Sequence, residues 1–553
     1  MYSESQAESA QSATSEKIKF RLWAPGKKYV SVVGNFNQWN GEEFPLQLDK
    51  EGWWTGERDF PVGLHRYQFF VKNQDDKEFY IADPLSRVVN WETRRRMPET
   101  EFTVGQEAYA WEDSKFKTPS MHQSIIYEIH VGNFTPEGNF IGLKAKLPYL
   151  KELGINVIEL MPVSEFFGTG KDDWGYEPSF YTAVEGSYGS INDLKDLVNE
   201  AHKLGIAVVL DMVFNHCGHT NPLVQLFENE KNPYLSDEKN DWGLPDFNHW
   251  QQETKKLFWE VQEYWLKEFH IDGFRYDSTS GIGFDAENGV QYLTWAARKI
   301  KPDALLIAEN LQDPLADVRG TEIQSTWHEE YVNVIRPLIC ERDIGDNSCK
   351  NIEGAWRCMS HGFSGYTDNA QAINYFETHD HERLAAFIKE KESLRNDDAL
   401  FAKIKLALVT LVCSSGVPLI YAGQEMAVEN KKGLEGSKLD WSLAENDLGK
   451  RLLALMKDVC KLRWNNPALT LNTHELIAMD PGKLVLVFKR WDEGGNCLVI
   501  ALNFSPSGIE QEAGFPESGK WKEVFEGHEV EAAGDNKINL ILPPSGAQVW
   551  KKV

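Results

Sequence analysis

The stretch HIDGFRYDSTS, His270–Ser280, decides how this chain folds. The residues before it, EVQEYWLKEF at 260–269, read as an amphipathic helix. The stretch then opens apolar, as a buried strand does, yet it carries Gly273, Arg275 and Asp277. Arginine and aspartate are rarely buried unless they are paired or at work. Side chains at i and i+2 of a strand share a face. Arg275 and Asp277 are therefore expected to project together, with Gly273 below leaving space.

The same strand–helix alternation runs outward in both directions. IIYEIHV (125–131), NVIELMPV (156–163) and IAVVLDMV (206–213) precede it, separated by the helical stretches 142–154 and 191–205. ALLIAEN (304–310), INYFETHD (373–380), a helix over 400–415 and VPLIYAG (417–423) follow. Such alternation means a parallel sheet with helical crossovers. Its length predicts a (β/α)8 TIM barrel over 111–470. A doubly wound sheet competes, but no glycine-rich phosphate loop follows the first strand.

The flanks read differently. Residues 16–110 hold short alternating strands, among them IKFRLWAP, YVSVVGNF, WWTGERDF and LHRYQFFVK, separated by turns. They predict an N-terminal β-sandwich. WETRRRMPETEF (91–102) reads as a linker leading away from it. Residues 471–553 predict a C-terminal antiparallel β-sandwich, and 1–15 a disordered polar tail without a signal-peptide core.

Composition narrows the function classes. Of 553 residues, 58 are basic and 84 acidic, so the net charge is −26. That balance disfavours nucleic acid and anionic membrane as partners. No apolar run is long enough to span a membrane. Seven scattered cysteines without a CxxC argue against a disulfide framework or zinc site and point to a reducing, cytoplasmic setting. Aromatic residues, 12% of the chain with 19 Trp, suit a core and also sugar stacking. Oligomeric state is not legible.

Four apolar strands end in carboxylates: Asp211, Asp277, Glu309 and Asp380. Barrel strands converge at their C-terminal ends, where active sites sit. A lone carboxylate there could simply cap the next helix. Four together point to a site, with His216 and His379 beside two of them. Arg275 is expected to hold Asp277 ionised and to lower its pKa. A raised pKa would let Glu309 donate a proton. Two carboxyls flanking a glycosidic bond are the working parts of a glycosidase.

At these residues the chain resembles the alpha-amylase superfamily of glycoside hydrolases. DMVFNH (211–216), GFRYD (273–277), IAEN (307–310) and ETHD (377–380) occur in the family's order, with DDWGYEPSFY (172–181) and GVPLIYAGQE (416–425). The resemblance implies Asp277 as nucleophile, Glu309 as acid/base, and Asp380 as the carboxylate that binds sugar hydroxyls and stabilises the distorted sugar. It implies that Arg275 and Asp211 orient Asp277, that His216 and His379 bond to the sugar, and that Tyr176 stacks beneath it. FRLWAP and VGNFNQW resemble a glycogen-binding type of module, in which Trp39, Trp53 or Trp54 could stack on a glucan.

The implied activity is retaining hydrolysis of α-1,4-glucosidic bonds in starch- or glycogen-type glucans. DMVFNH favours it, because bacterial branching enzymes usually carry a proline-containing version. STSG (278–281) resembles branching enzymes instead, and IQSTWHEEYVNVI (323–335) resembles trehalohydrolases and branching enzymes. His381 departs from the trehalohydrolase pattern, which has glutamine there. A branching enzyme, a malto-oligosyltrehalose trehalohydrolase and a non-catalytic glucan-binding protein therefore stay as alternatives. A short domain B over 217–246 implies an open cleft. No cofactor is expected, and no metal: Asn215 could ligate calcium, but the insertion lacks enough further oxygens.

Overall fold

The computed structural model describes residues 15–91, 98–170, 173–228, 230–285, 287–360, 365–430 and 438–553. The expected tail lies outside the described residues except for Ser15. Among the described residues, no helix is long and apolar enough to cross a membrane.

Eight parallel strands close into a barrel. They are β1 (Ile126–Ile129), β2 (Val157–Leu160), β3 (Ala207–Met212), β4 (Gly273–Tyr276), β5 (Leu305–Ala308), β6 (Ser325–Trp327), β7 (Ala372–Asn374) and β8 (Val417–Tyr421). β8 pairs back onto β1, with Leu419 opposite Ile126. The strands are buried nearly throughout, which is why they read as continuous apolar runs. The glycine of HIDGFRYD serves the barrel differently than expected. A Cβ at Gly273 would lie 1.8 Å from the Leu305 carbonyl oxygen. The residue therefore admits the close approach of β5, not the bulk of Arg275.

Helices α1 (Phe140–Leu153), α2 (Ile191–Lys203), α3 (Gln252–Glu268), α4 (Val290–Ile300), α5 (Glu329–Cys340), α6 (Ile352–Met359), α7 (Asp397–Cys413) and α8 (Asp447–Asn465) surround the barrel. Their ends are chemically marked. Asn139 caps α1 through Gly142 N–H, and Ser190 and Asp193 cap α2 reciprocally. Helix α1 stops at Gly154, whose φ of +98° suits glycine and whose missing side chain admits Cys460. Helix α7 is buried on nearly every side because it lies between the barrel and the C-terminal sheet.

Both flanking domains are antiparallel. The N-terminal one has a three-stranded and a five-stranded sheet around Phe20, Phe60, Tyr67 and Phe102. The stretch expected as a linker belongs to it: Val89–Asn90 pairs with Glu99–Val104, which pairs with Gly63–Lys72. Charge masked this strand, because the polar side chains of 99–104 flank a ladder that only the partner strand reveals. Residues 92–97 lie outside the described residues. At the other end a six-stranded sheet and a two-stranded ribbon enclose Val487, Val499, Trp521 and Trp550.

Candidate active site

The site is built around one guanidinium. Arg275 leaves β4 into the barrel mouth and is wholly buried. Its Nη1 donates to both carboxylate oxygens of Asp211 at 2.9 Å and to Asp277 Oδ1 at 2.7 Å. Its Nη2 stands 3.1 Å from Glu309 Oε2, at ion-pair distance but off hydrogen-bond alignment. The i, i+2 relation of Arg275 and Asp277 thus places both on one face, as strand geometry requires. Trp327, from β6, covers the guanidinium at 4.3 Å from its ring centre.

Glu309 is fixed from a second side. Ser278 takes a left-handed conformation, φ +45°, that turns its backbone N–H onto Glu309 Oε2 at 3.1 Å. Such a conformation is costly for serine and persists only where its surroundings fix it. Thr279 Oγ1 donates to the Glu309 carbonyl at 2.9 Å and to Asp317 at 3.1 Å. Half of STSG therefore braces Glu309, while Ser280 and Gly281 line the cleft.

Asp380 lies beyond β7 on the loop that carries ETHD, and its side chain is 41% exposed. His379 Nε2 is 3.2 Å from Asp380 Oδ2. On its other side, His379 Nδ1 bonds Glu128 at 2.6 Å, and its backbone N–H donates to Glu128 Oε2 at 3.2 Å. Tyr176 stacks on the His379 ring at 5.0 Å and donates its hydroxyl to Asp211 at 2.6 Å. His216 lines the cleft but is nearly buried, and its Nε2 is bonded to the Tyr176 carbonyl at 2.8 Å. It therefore fastens the Tyr176 loop. Asp172, in the motif carrying Tyr176, lies outside the described residues.

The protonation pattern corrects one expectation. Burial pushes the Asp277 carboxyl up from its usual range, against the pull of Arg275. Burial also raises Asp211 and Glu309, and for Glu309 the nearby Asp277 and Asp380 add to it. Three carboxylates share one guanidinium, so one cation cannot hold all three fully ionised. His379 goes the other way. Burial opposes its charge, but Glu128 and Asp380 together outweigh that and raise it well above the usual histidine range. On β2, Glu159 is buried with neither oxygen hydrogen-bonded among the described residues, and burial raises it strongly. A neutral carboxylic acid resolves the crowding there.

The cleft above these groups encloses about 730 Å³. Trp174, Trp242, Leu311 and Gln312 line it beyond the expected residues. Trp242 is 65% exposed, on the insertion that follows β3. In that insertion Asn215 and Asn240 both donate to Asp246, so Asn215 is bonded within the protein.

A buried arginine thus joins carboxylates from the ends of β3, β4 and β5 at the barrel's C-terminal mouth. The alpha amylase catalytic domain family matches residues 106–243 and 347–473. A malto-oligosyltrehalose trehalohydrolase from Saccharolobus solfataricus is 32% identical over 453 residues, covering 75% of this chain and 74% of its own. This chain belongs to the alpha-amylase family. It is a glycosidase or glucanotransferase of that family. Carbohydrate-binding module 48, the isoamylase N-terminal domain, matches residues 7–86, and the alpha amylase C-terminal all-beta domain matches 477–553. A 1,4-alpha-glucan branching enzyme from Oceanobacillus iheyensis is 27% identical over 578 residues, 94% of this chain and 88% of its own. A pullulanase structure from Anoxybacillus sp. LM18-11 superposes with a TM-score of 0.81 at 22% identity, covering 97% of this chain and 86% of that one. The two matched catalytic stretches leave out 244–346, which hold Arg275, Asp277 and Glu309. Those residues are placed by the register of β3, β4 and β5.

The module's three candidate tryptophans sit in different surroundings. Trp54 is 6% exposed and donates to the Ala24 carbonyl, so it has no face for a sugar. Trp53 is half-buried under the Arg21 guanidinium, near the barrel insertion. Trp39 is half-buried in a turn at φ +61°. Sequence reasoning missed Glu128, Glu159 and Trp327. Glu128 had a signal: a glutamate inside the apolar run IIYEIHV.

Proposed function

We propose that this protein is a retaining glycoside hydrolase that cleaves α-1,4-glucosidic bonds of starch- or glycogen-type glucans. The observation that carries this reading is Arg275 contacting Asp277 and Glu309 with the two nitrogens of one guanidinium. Two carboxyls held so close suit the retaining arrangement, in which separation is about 5 Å and no water fits between them. Asp277, oriented by Arg275, attacks the anomeric carbon as the glycosidic bond breaks. Glu309, whose pKa burial raises, gives its proton to the leaving oxygen. A covalent glucosyl ester of Asp277 results. Glu309, now ionised, takes a proton from water, and the hydroxide attacks the ester and frees Asp277 with the anomeric configuration retained. Asp380 and protonated His379 hold sugar hydroxyls beside the reacting carbon. The seven cysteines, free among the described residues, support a reducing, cytoplasmic setting.

The 32% identical relative supports a narrower second reading, malto-oligosyltrehalose as substrate. His381 weighs against it, being tied to Thr378 and Glu329. Incubation with amylose and with malto-oligosyltrehalose tests both readings by NMR. New α-configured reducing ends from amylose are expected. Formation of α-1,6 linkages without reducing ends would establish branching instead, and trehalose release from the second substrate alone would establish the narrower reading. Asp277→Asn is expected to lose at least about a thousandfold in kcat. Retained turnover by that variant would remove Asp277 from the chemistry.

A further inference from the structure

We propose that His328, Glu330 and Cys358 form a zinc site at the carboxyl end of β6. Their ligand atoms all lie within 4.8 Å of one another. The imidazole is what points to a metal. Its Nδ1 contacts Asn374 Oδ1 at 2.9 Å, and the Asn374 amide nitrogen donates to the Ser415 carbonyl at 2.8 Å. The amide orientation is thereby set, so Asn374 Oδ1 must accept and His328 Nδ1 must carry the proton. Nε2 is left with a bare lone pair. His328 is 3% exposed, and Nε2 has no hydrogen-bond partner among the described residues. A histidine that donates its far N–H to an acceptor and aims the other nitrogen at a thiol and a carboxylate has the tautomer and orientation of a metal ligand.

The neighbours fit. Among the described residues, the Cys358 thiol reaches the Glu330 carbonyl alone, at a long 3.7 Å. Glu330 is partly exposed and faces Arg357 at 3.7 Å, a loose pair that frees its carboxylate to swing inward. Tyr366 lies edge-on to His328 at 5.4 Å, buried, with its hydroxyl unpartnered among the described residues. It could accept a hydrogen bond from a metal-bound water. One nitrogen, one sulfur and one carboxylate oxygen suit zinc better than calcium or magnesium, with water in the fourth position. Binding would replace the Cys358 thiol proton, released to solvent, with a sulfur–zinc bond. The ion would staple α6 to the end of β6, one residue from the Trp327 that covers Arg275.

The full chain, stripped with chelator and dialysed against micromolar zinc, should retain about one zinc per chain by mass spectrometry of the metal. Cobalt in its place should give a thiolate-to-cobalt charge-transfer band. Cys358→Ser should abolish that band, and both it and His328→Gln should weaken zinc binding roughly tenfold to a hundredfold. Glu330→Gln, at an exposed side chain, supplies a variant that folds if the buried ones do not, with the same direction expected. Absence of zinc from the wild-type chain, or equal retention by wild type and Glu330→Gln or Cys358→Ser, would overturn the site.

Discussion

Arg275 is the residue through which the site's parts communicate. Its planar fork reaches Asp211 and Asp277 with one nitrogen and Glu309 with the other, a fixed spread that a compact ammonium lacks. Arg275→Lys should therefore lower kcat by about a hundredfold through misplacement of both carboxyls, with KM less affected. Steady-state kinetics on a soluble maltooligosaccharide checks this. Glu128 acts one step further out, on His379. The folded pKa of His379 lies above its unfolded value, so its contribution to stability is fully present below about 6.5 and lost as pH rises through the folded value. Glu128→Gln should bring that loss down toward neutrality. Thermal midpoints should then fall less steeply from pH 6 to pH 9 in the variant than in the wild type, because the folded variant loses the His379 proton as the unfolded chain does. Parallel curves would mean that Glu128 does not hold the His379 proton.

At the scale of elements, short segments carry the decisive geometry. The hairpin of Ser164–Phe166 and Pro178–Val184 leads into the loop with Tyr176. It buries Glu165, raised to about 8 by burial first and Glu185 second, with its Oε1 accepting from Trp91 at 2.6 Å. Because the folded pKa is raised, this stabilisation is fully present below the unfolded value near 4.5 and lost as pH rises through about 8. Glu165→Gln should flatten the decline in thermal midpoint between about pH 4.5 and about 8, measured by calorimetry. An unchanged slope would assign the decline elsewhere. The three-residue strand β6 was invisible as a strand in the sequence, where seven apolar runs suggested strands. Two turns of pattern are needed for periodicity to show, and STW is too short.

Across the whole molecule, the flanking domains are packed onto the barrel. Arg21 pairs with Glu260, Lys27 pairs with Glu230 at 2.8 Å, Trp23 meets Tyr234 edge-on, and Thr182 donates to the Ser86 carbonyl. Trp54→Ala should cost about 3–5 kcal/mol by opening a core cavity while leaving glucan affinity unchanged. Chemical denaturation and a glycogen co-sedimentation assay separate the two effects. Loss of glycogen binding without loss of stability would restore Trp54 to a binding surface.

The sequence alone determined the barrel, because strand–helix alternation is a local period, and it determined the cluster of Asp211, Asp277 and Glu309, because strand ends in a closed barrel must converge. It also determined that Arg275 and Asp277 share a face, since that follows from the two-residue repeat of a strand. Only the tertiary structure decided the rest. Glu128 meets His379 across 251 residues, and Trp327 covers Arg275 from another strand. Which carboxyls keep their protons depends on how many share one guanidinium and how little water reaches them. Those are properties of neighbours in space, which the order of residues along the chain does not record.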